Sequence, residues 1–240
     1  MKIIELETYE EMSQLAAQII IQKVREHPTT VLGLATGSTP SGLYEKLVQD
    51  HVHNMTSYKE VNTFNLDEYI GLAETHEQSY HTYMDKNLFS KINLRKEQTH
   101  IPKGDAVDHL IEAQKYEERI QQAGGIDLQV LGIGKNGHIG FNEPGTSFSS
   151  RTHVVDLTPS TRQANQLFFN SLDEVPKKAI SMGIATIMES KEILLLISGT
   201  SKNDAYKRLL HGAIDEQFPA SILKRHPKVT VIRCQSPKQF

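Results

Sequence analysis

His138 sits in the run Leu131-Gly132-Ile133-Gly134-Lys135-Asn136-Gly137-His138-Ile139-Gly140-Phe141-Asn142-Glu143-Pro144-Gly145. Between its glycines stand Asn136, His138, Asn142 and Glu143, all able to orient or exchange a proton. An imidazole with a carboxylate five residues on is the equipment of acid–base chemistry near neutral pH. The same residues would also serve a plain Asn-Gly turn with a hydrogen-bonded histidine. Three further groups could join them. Asp67 is the first residue after Val61-Asn62-Thr63-Phe64-Asn65-Leu66, which alternates as a strand, Lys202 follows Ser198-Gly199-Thr200-Ser201, and Thr36-Gly37-Ser38-Thr39 precedes Pro40. Together they would supply a carboxylate base, a cation and a turn whose free N–H groups suit an anion, although those turn residues equally suit simple helix capping. The turn lacks the Gly-Lys-Ser/Thr of a Walker A loop. Glu68, next to Asp67, is expected to be a cap or a solvated charge.

The elements that must carry these groups alternate. Met1–Glu7 reads as a first strand, and Thr8–His27 as a helix with Met12, Leu15, Ala16, Ile19, Ile20 and Val24 on one face, ended by Pro28. Thr29–Ala35 is a short apolar strand, and the helical pattern of Leu43, Tyr44, Leu47 and Val48 follows it, with Ser38 or Thr39 as the expected cap. Further helical patterns cover about 77–90 and 107–123. Ile126–Leu131, Ile193–Ile197 and Lys228–Arg233 read as strands, and a helix carrying Arg162 is expected from Thr158-Pro159-Ser160 to Asn170. Such alternation implies an α/β fold with a mostly parallel sheet and helices on both faces. The loops at 36–40, 67–69, 132–145 and 198–202 would then all leave strand carboxyl ends and share one crevice.

Composition narrows the partners. A chain of 240 residues without a linker-like segment reads as one domain, residues 1–240, and a formal charge of −3 with interspersed signs gives no stripe for nucleic acid and no polybasic membrane patch. The single cysteine, Cys234, excludes an internal disulfide and points to a reducing compartment. Acidic residues interrupt the apolar start, which reads as neither a signal peptide nor a spanning helix, so a cytoplasmic protein is expected. One histidine and one glutamate in the central loop make a poor metal site. A phosphorylated small molecule undergoing proton transfer, with no cofactor and no metal, is the chemistry these features suit.

Three motifs, Leu34-Ala35-Thr36-Gly37-Ser38-Thr39-Pro40, Phe64-Asn65-Leu66-Asp67-Glu68-Tyr69 and Gly132 through Gly145, resemble those of the glucosamine-6-phosphate deaminases, and the resemblance extends over nearly the whole chain. It implies a modified Rossmann-like fold that turns D-glucosamine 6-phosphate and water into D-fructose 6-phosphate and ammonium. It further implies that His138 opens the sugar ring, that Glu143 and the residue at 136 set its tautomer and basicity, and that Asp67 moves the proton from C2 to C1. The family often has aspartate at 136, where this chain has Asn136. The phosphate resembles a ligand of Thr36, Gly37, Ser38, Thr39 and Lys202. Members often read Ala-Asn-Ser-Arg-Phe-Phe where this chain reads Ala164-Asn165-Gln166-Leu167-Phe168-Phe169, so Leu167 replaces an arginine, and Arg162 is the nearby residue that could substitute. Some members are hexamers activated by N-acetylglucosamine 6-phosphate through a stretch resembling Ser-Arg-Thr-Arg-Ile-Lys. Here it reads Ser150-Arg151-Thr152-His153-Val154-Val155 and the tail is Gln235–Phe240, so a monomer without that effector site is expected. Related folds also carry 6-phosphogluconolactonases and sugar-phosphate-sensing modules, the two alternative functions.

Overall fold

The structure, a computed structural model, describes residues 1–238, apart from the side chains of Ser160, Ala164 and Phe168. The last two tail residues, Gln239 and Phe240, and the side chain of Ser160 at the expected helix start therefore lie outside the described residues. In chain order the elements are β1 (Lys2–Leu6), α1 (Tyr9–Glu26), β2 (Val31–Leu34), α2 (Ser38–Asn54), β3 (Asn62–Asn65) and β4 (Asp67–Tyr69). Then come α3 (Tyr80–Asn87), β5 (Thr99–His100), α4 (His109–Gln122), β6 (Leu128–Leu131), β7 (His153–Asp156) and α5 (Pro159–Asn165). The chain closes with β8 (Lys178–Ser181), α6 (Ile184–Met188), β9 (Ile193–Ser198), α7 (Asn203–His211) and β10 (Val229–Cys234). The helix expected to run to Asn170 stops at Asn165 and tightens into a 3₁₀ turn over Gln166–Phe168. Among the described residues no helix is long and apolar enough to cross a membrane.

Seven strands form an all-parallel sheet in the order β1-β10-β9-β6-β2-β3-β5. Successive side chains of a strand point to opposite faces, and the core divides accordingly. Val31, Leu131, Leu195 and Val231 pack with Tyr116 and Ile120 of α4 and Leu209 of α7. Leu34, Val130, Leu194 and Ile232 pack on the other side, with Met12 and Ile20 of α1 and Leu43 and Leu47 of α2. Burial on both faces explains why these strands read as continuous apolar runs. The fold is thus α/β with helices on both faces, as expected. β3 and β5, the next sheet strands after β2, lie to one side of it, whereas β9 and β10, which come after β6, lie beyond β6 on the other, so a crevice opens between β2 and β6 at their carboxyl ends.

A second sheet, β4-β8-β7, is antiparallel and was not expected from the sequence. Asp67 pairs with Ser181, and Ser181 pairs with His153 on the other side. This sheet clamps the segment after β3 beside the glycine-rich loop. Met182 N–H donates to Leu66 O (2.7 Å), and Phe141 N–H donates to Ser181 Oγ (3.1 Å).

Candidate active site

The segments at 36–40, 67–69, 132–145 and 198–202 follow β2, β3, β6 and β9, which are four adjacent strands of the sheet, although 67–69, expected as a loop, is strand β4 because it pairs with β8. Two of them touch directly, with Thr39 Oγ1 3.3 Å from Ser198 Oγ. The first loop enters α2 through Gly37, whose φ of 95° only glycine adopts without strain. The cap is therefore Gly37, not Ser38 or Thr39, and no side chain occupies the capping position. Three tyrosines brace the loop from outside: Tyr44 hydroxyl donates to Ala35 O (2.5 Å), Tyr83 hydroxyl donates to Gly37 O (2.6 Å), and Tyr9 hydroxyl lies 2.9 Å from Ser38 O. Their fixed carbonyls leave the hydroxyls of Thr36, Ser38 and Thr39 at the start of α2.

Asp67 is buried, at 6% exposure, beside a wall of rings in which Tyr69, Tyr80 and Phe141 pack with centroids 4.9–6.3 Å apart. Burial, and then the neighbouring Glu68 charge, push its carboxyl up to about 8. Glu68 corrects one expectation and meets another. It is not solvated, at 1% exposure, yet it does act as a cap: its carboxylate accepts the N–H groups of Tyr69, Tyr80 and His81, the latter two in the first turn of α3, and meets His81 Nδ1 at 2.9 Å. A carboxylate satisfied by four donors stays put, which fixes the next residue, Asp67.

His138 lies across Gly134. A methyl group added there would stand 2.4–2.5 Å from three ring atoms, so the imidazole rests where only a glycine leaves room. Its Nδ1 stands 3.6 Å from Glu143 Oε1, within reach of an ion pair but too long for a hydrogen bond, and makes none. Asn136 links the two, donating from Nδ2 to Glu143 Oε2 (2.6 Å) and accepting the His138 backbone N–H at Oδ1 (3.2 Å). The Thr161 hydroxyl donates to Glu143 Oε1 from α5. Burial pushes the Glu143 carboxyl up, but His138, Thr161 and Asn136 outweigh it and hold the group down at about 2. A Glu143 that is charged above about pH 2 therefore faces the Nδ1 edge of the imidazole. The His138 loop also meets Asp67: a Cβ on Gly140 would stand 3.5 Å from Asp67 Oδ2 and 3.1 Å from Ser181 Oγ.

Lys202 closes the 3₁₀ turn Thr200–Lys202 ahead of α7. Burial, and then the charge of Lys135, lower its ammonium below the ordinary lysine value. Arg162 is placed differently from expectation. Its guanidinium donates to Leu172 O (2.6 Å) and Val175 O (3.1 Å), closing the turn after α5, so its Nε and Nη2 groups are engaged with backbone carbonyls. Leu167 is 72% exposed. Among the described residues no group of three His, Cys, Asp or Glu side chains could hold a metal ion.

A family profile described as glucosamine-6-phosphate isomerases/6-phosphogluconolactonase matches residues 5–232. The chain belongs to this family. Within the glucosamine-6-phosphate isomerase/6-phosphogluconolactonase family it is 59% identical over 232 residues to a glucosamine-6-phosphate deaminase of Halalkalibacterium halodurans, covering 97% of this chain and 94% of that one. It is 53% identical to glucosamine-6-phosphate deaminase 1 of Bacillus subtilis, covering 97% and 96% of the two chains. A solved monomeric glucosamine-6-phosphate deaminase superposes with a TM-score of 0.96 at 52% identity, covering 97% of each chain. The 6-phosphogluconolactonase of Thermotoga maritima shares the fold, with a TM-score of 0.77 at 22% identity over 98% of this chain and 99% of that one.

Sequence reading gave no role to Lys135, Thr161 or the three bracing tyrosines. Lys135 stood inside the glycine-rich run and could have been noticed as a cation at a strand end. Thr161 and the tyrosines act through partners 9 to 46 residues away, which spacing alone does not reveal.

Proposed function

We propose that this member of the family converts D-glucosamine 6-phosphate and water into D-fructose 6-phosphate and ammonium, with Asp67, Asn136, His138 and Glu143 as its catalytic group. The observation that carries the reading is Asp67, a buried carboxyl with a pKa near 8 beside the His138 loop, in a chain more than half identical to curated deaminases. His138 takes the anomeric O–H proton and delivers one to the ring oxygen, so the C1–O5 bond breaks and an aldehyde forms. The charged Glu143 stabilises the imidazolium between these transfers. Asn136 orients both partners but, as a neutral amide, adds no charge. Asp67, ionised, then removes the C2 proton; the electron pair shifts toward C1 as O1 is protonated, giving an enolamine. Returning the proton to C1 leaves an iminium at C2, to which water adds before ammonia departs. A group that both takes and returns a proton works best with a pKa near the working pH, which burial gives Asp67. Thr36, Gly37, Ser38, Thr39 and Lys202 line the place for the phosphate.

Since Asp67 must be ionised to begin, kcat/KM for ammonium release is expected to climb by about tenfold per pH unit below pH 8 and to level above it. Ammonium assays across pH 6–9.5 test this. A rate independent of pH up to 8 would remove Asp67 as the base, and no ammonium at any pH would remove the reaction.

The same reading makes the protein a cytoplasmic monomer of one domain, with a sugar phosphate as its partner. Pairing of the first strand with the last supports one domain, and the monomeric deaminase of like fold supports the assembly state. Arg151 is engaged by Glu189 and by Glu117 (3.7 Å), and His153 Nδ1 lies 2.7 Å from Arg151 O, so neither is free for an effector phosphate. Substrate saturation is expected to be hyperbolic and unmoved by N-acetylglucosamine 6-phosphate. A sigmoidal curve that the effector straightens would contradict this.

A further inference from the structure

A substrate phosphate carries close to two negative charges, and the groups assigned to it supply only one cation, Lys202. Arg162 is engaged with the carbonyls of Leu172 and Val175, and Leu167 is apolar. The missing charge has one obvious source. Lys135 leaves the carboxyl end of β6, Lys202 follows that of β9, and these strands are hydrogen-bonded neighbours in register from Gln129–Ile193 to Leu131–Leu195. Among the described residues neither ammonium has a carboxylate or carbonyl partner, whereas eleven other lysines or arginines form ion pairs. The Ser198 hydroxyl, at the end of β9 ahead of Lys202, lies 3.3 Å from the Thr39 hydroxyl of α2.

We infer that Lys135 is a second phosphate-binding cation, acting with Lys202 on the same dianion from the neighbouring strand end. Two unpaired ammonium groups on adjacent strand ends repel one another until an anion sits between them. Burial first, and then the charge of Lys135, lower the Lys202 ammonium below the ordinary lysine value, which is consistent with the two strand ends lying close. Binding a phosphate would reverse that lowering. Because Lys135 is exposed and only three residues before His138, it can also set where the phosphate end lies relative to the imidazole.

This inference rests on the sugar-phosphate reading above, so its test separates the two. Inorganic phosphate is titrated calorimetrically into the parent, Lys135→Gln, Lys135→Arg and Lys202→Gln proteins, and steady-state constants for glucosamine 6-phosphate are measured alongside. Lys135→Gln is expected to weaken phosphate binding and raise KM by about tenfold each, a single charge-assisted contact at a partly open site, while kcat falls by less than about threefold. Lys135→Arg should stay within about threefold of the parent, since the charge is kept. Phosphate affinity and KM at parental values in Lys135→Gln would overturn the assignment, as would a parent that binds no phosphate. Phosphate titration needs no turnover: loss of phosphate binding in Lys135→Gln in a protein that releases no ammonium would uphold Lys135 and refute the deaminase reading.

Discussion

Asp67→Asn is expected to lower kcat by at least about a hundredfold while leaving sugar-phosphate binding in place, and to make the folded protein more resistant to heat at alkaline pH. The two effects have one cause. Burial raises the carboxyl from the ordinary 3.8 to about 8, so between those values the native state holds a proton that the unfolded chain has released. Stability contributed by that proton is complete below pH 3.8 and is lost as pH rises through 8. Above that the fold must bury a charge, at a penalty on the order of a few kcal/mol. Asparagine has nearly the same shape and no charge to bury. The variant should therefore unfold at a higher temperature than the parent at pH 8.5, with the difference shrinking toward pH 5. Calorimetry at both pH values, with single-turnover kinetics, checks the pair of effects; near-normal turnover, or a variant less stable at pH 8.5, would show that Asp67 is not a buried titrating base.

His138→Gln is expected to slow turnover of the cyclic substrate by about a hundredfold while binding of an open-chain analogue changes by no more than about threefold. The imidazole's task ends once the ring has opened, so a ligand that arrives open does not need it. Gly134→Ala should act in the same direction with the imidazole itself retained, because its methyl would fall 2.4 Å from the His138 Cε1 and must push the ring off its seat. Equal loss of cyclic and open-chain binding in His138→Gln would assign the ring to general binding instead of ring opening.

What could be read from the chain alone follows from where the signals are local. The parallel strands announce themselves because both of their faces are buried, and the polar residues that interrupt them, Asp67 after β3 and Asn136 to Glu143 after β6, stand out against apolar runs. The antiparallel sheet did not announce itself. Its β7 and β8 are four residues each, β7 is only half-buried, and β8 gains its meaning from pairing with Asp67–Tyr69 more than a hundred residues earlier. Glu68 and Arg162 show the same limit in opposite senses. One reads as a surface charge but is buried against the start of α3, and the other reads as an available cation but closes a turn. The cap of α2 misled for a different reason: serine and threonine usually cap by side chain, whereas here Gly37 turns the chain by its backbone and leaves those hydroxyls unengaged by the cap.

The central claim is that isomerisation and deamination occur together in this one crevice, and product stoichiometry tests it most directly. Purified protein is incubated with D-glucosamine 6-phosphate, and ammonium, ketose phosphate and aldose phosphate are quantified in the same sample over time. One mole of D-fructose 6-phosphate for each mole of ammonium, with no glucose 6-phosphate formed, is the predicted result; ammonium accompanied by an aldose phosphate, or no ammonium at all, would contradict the account.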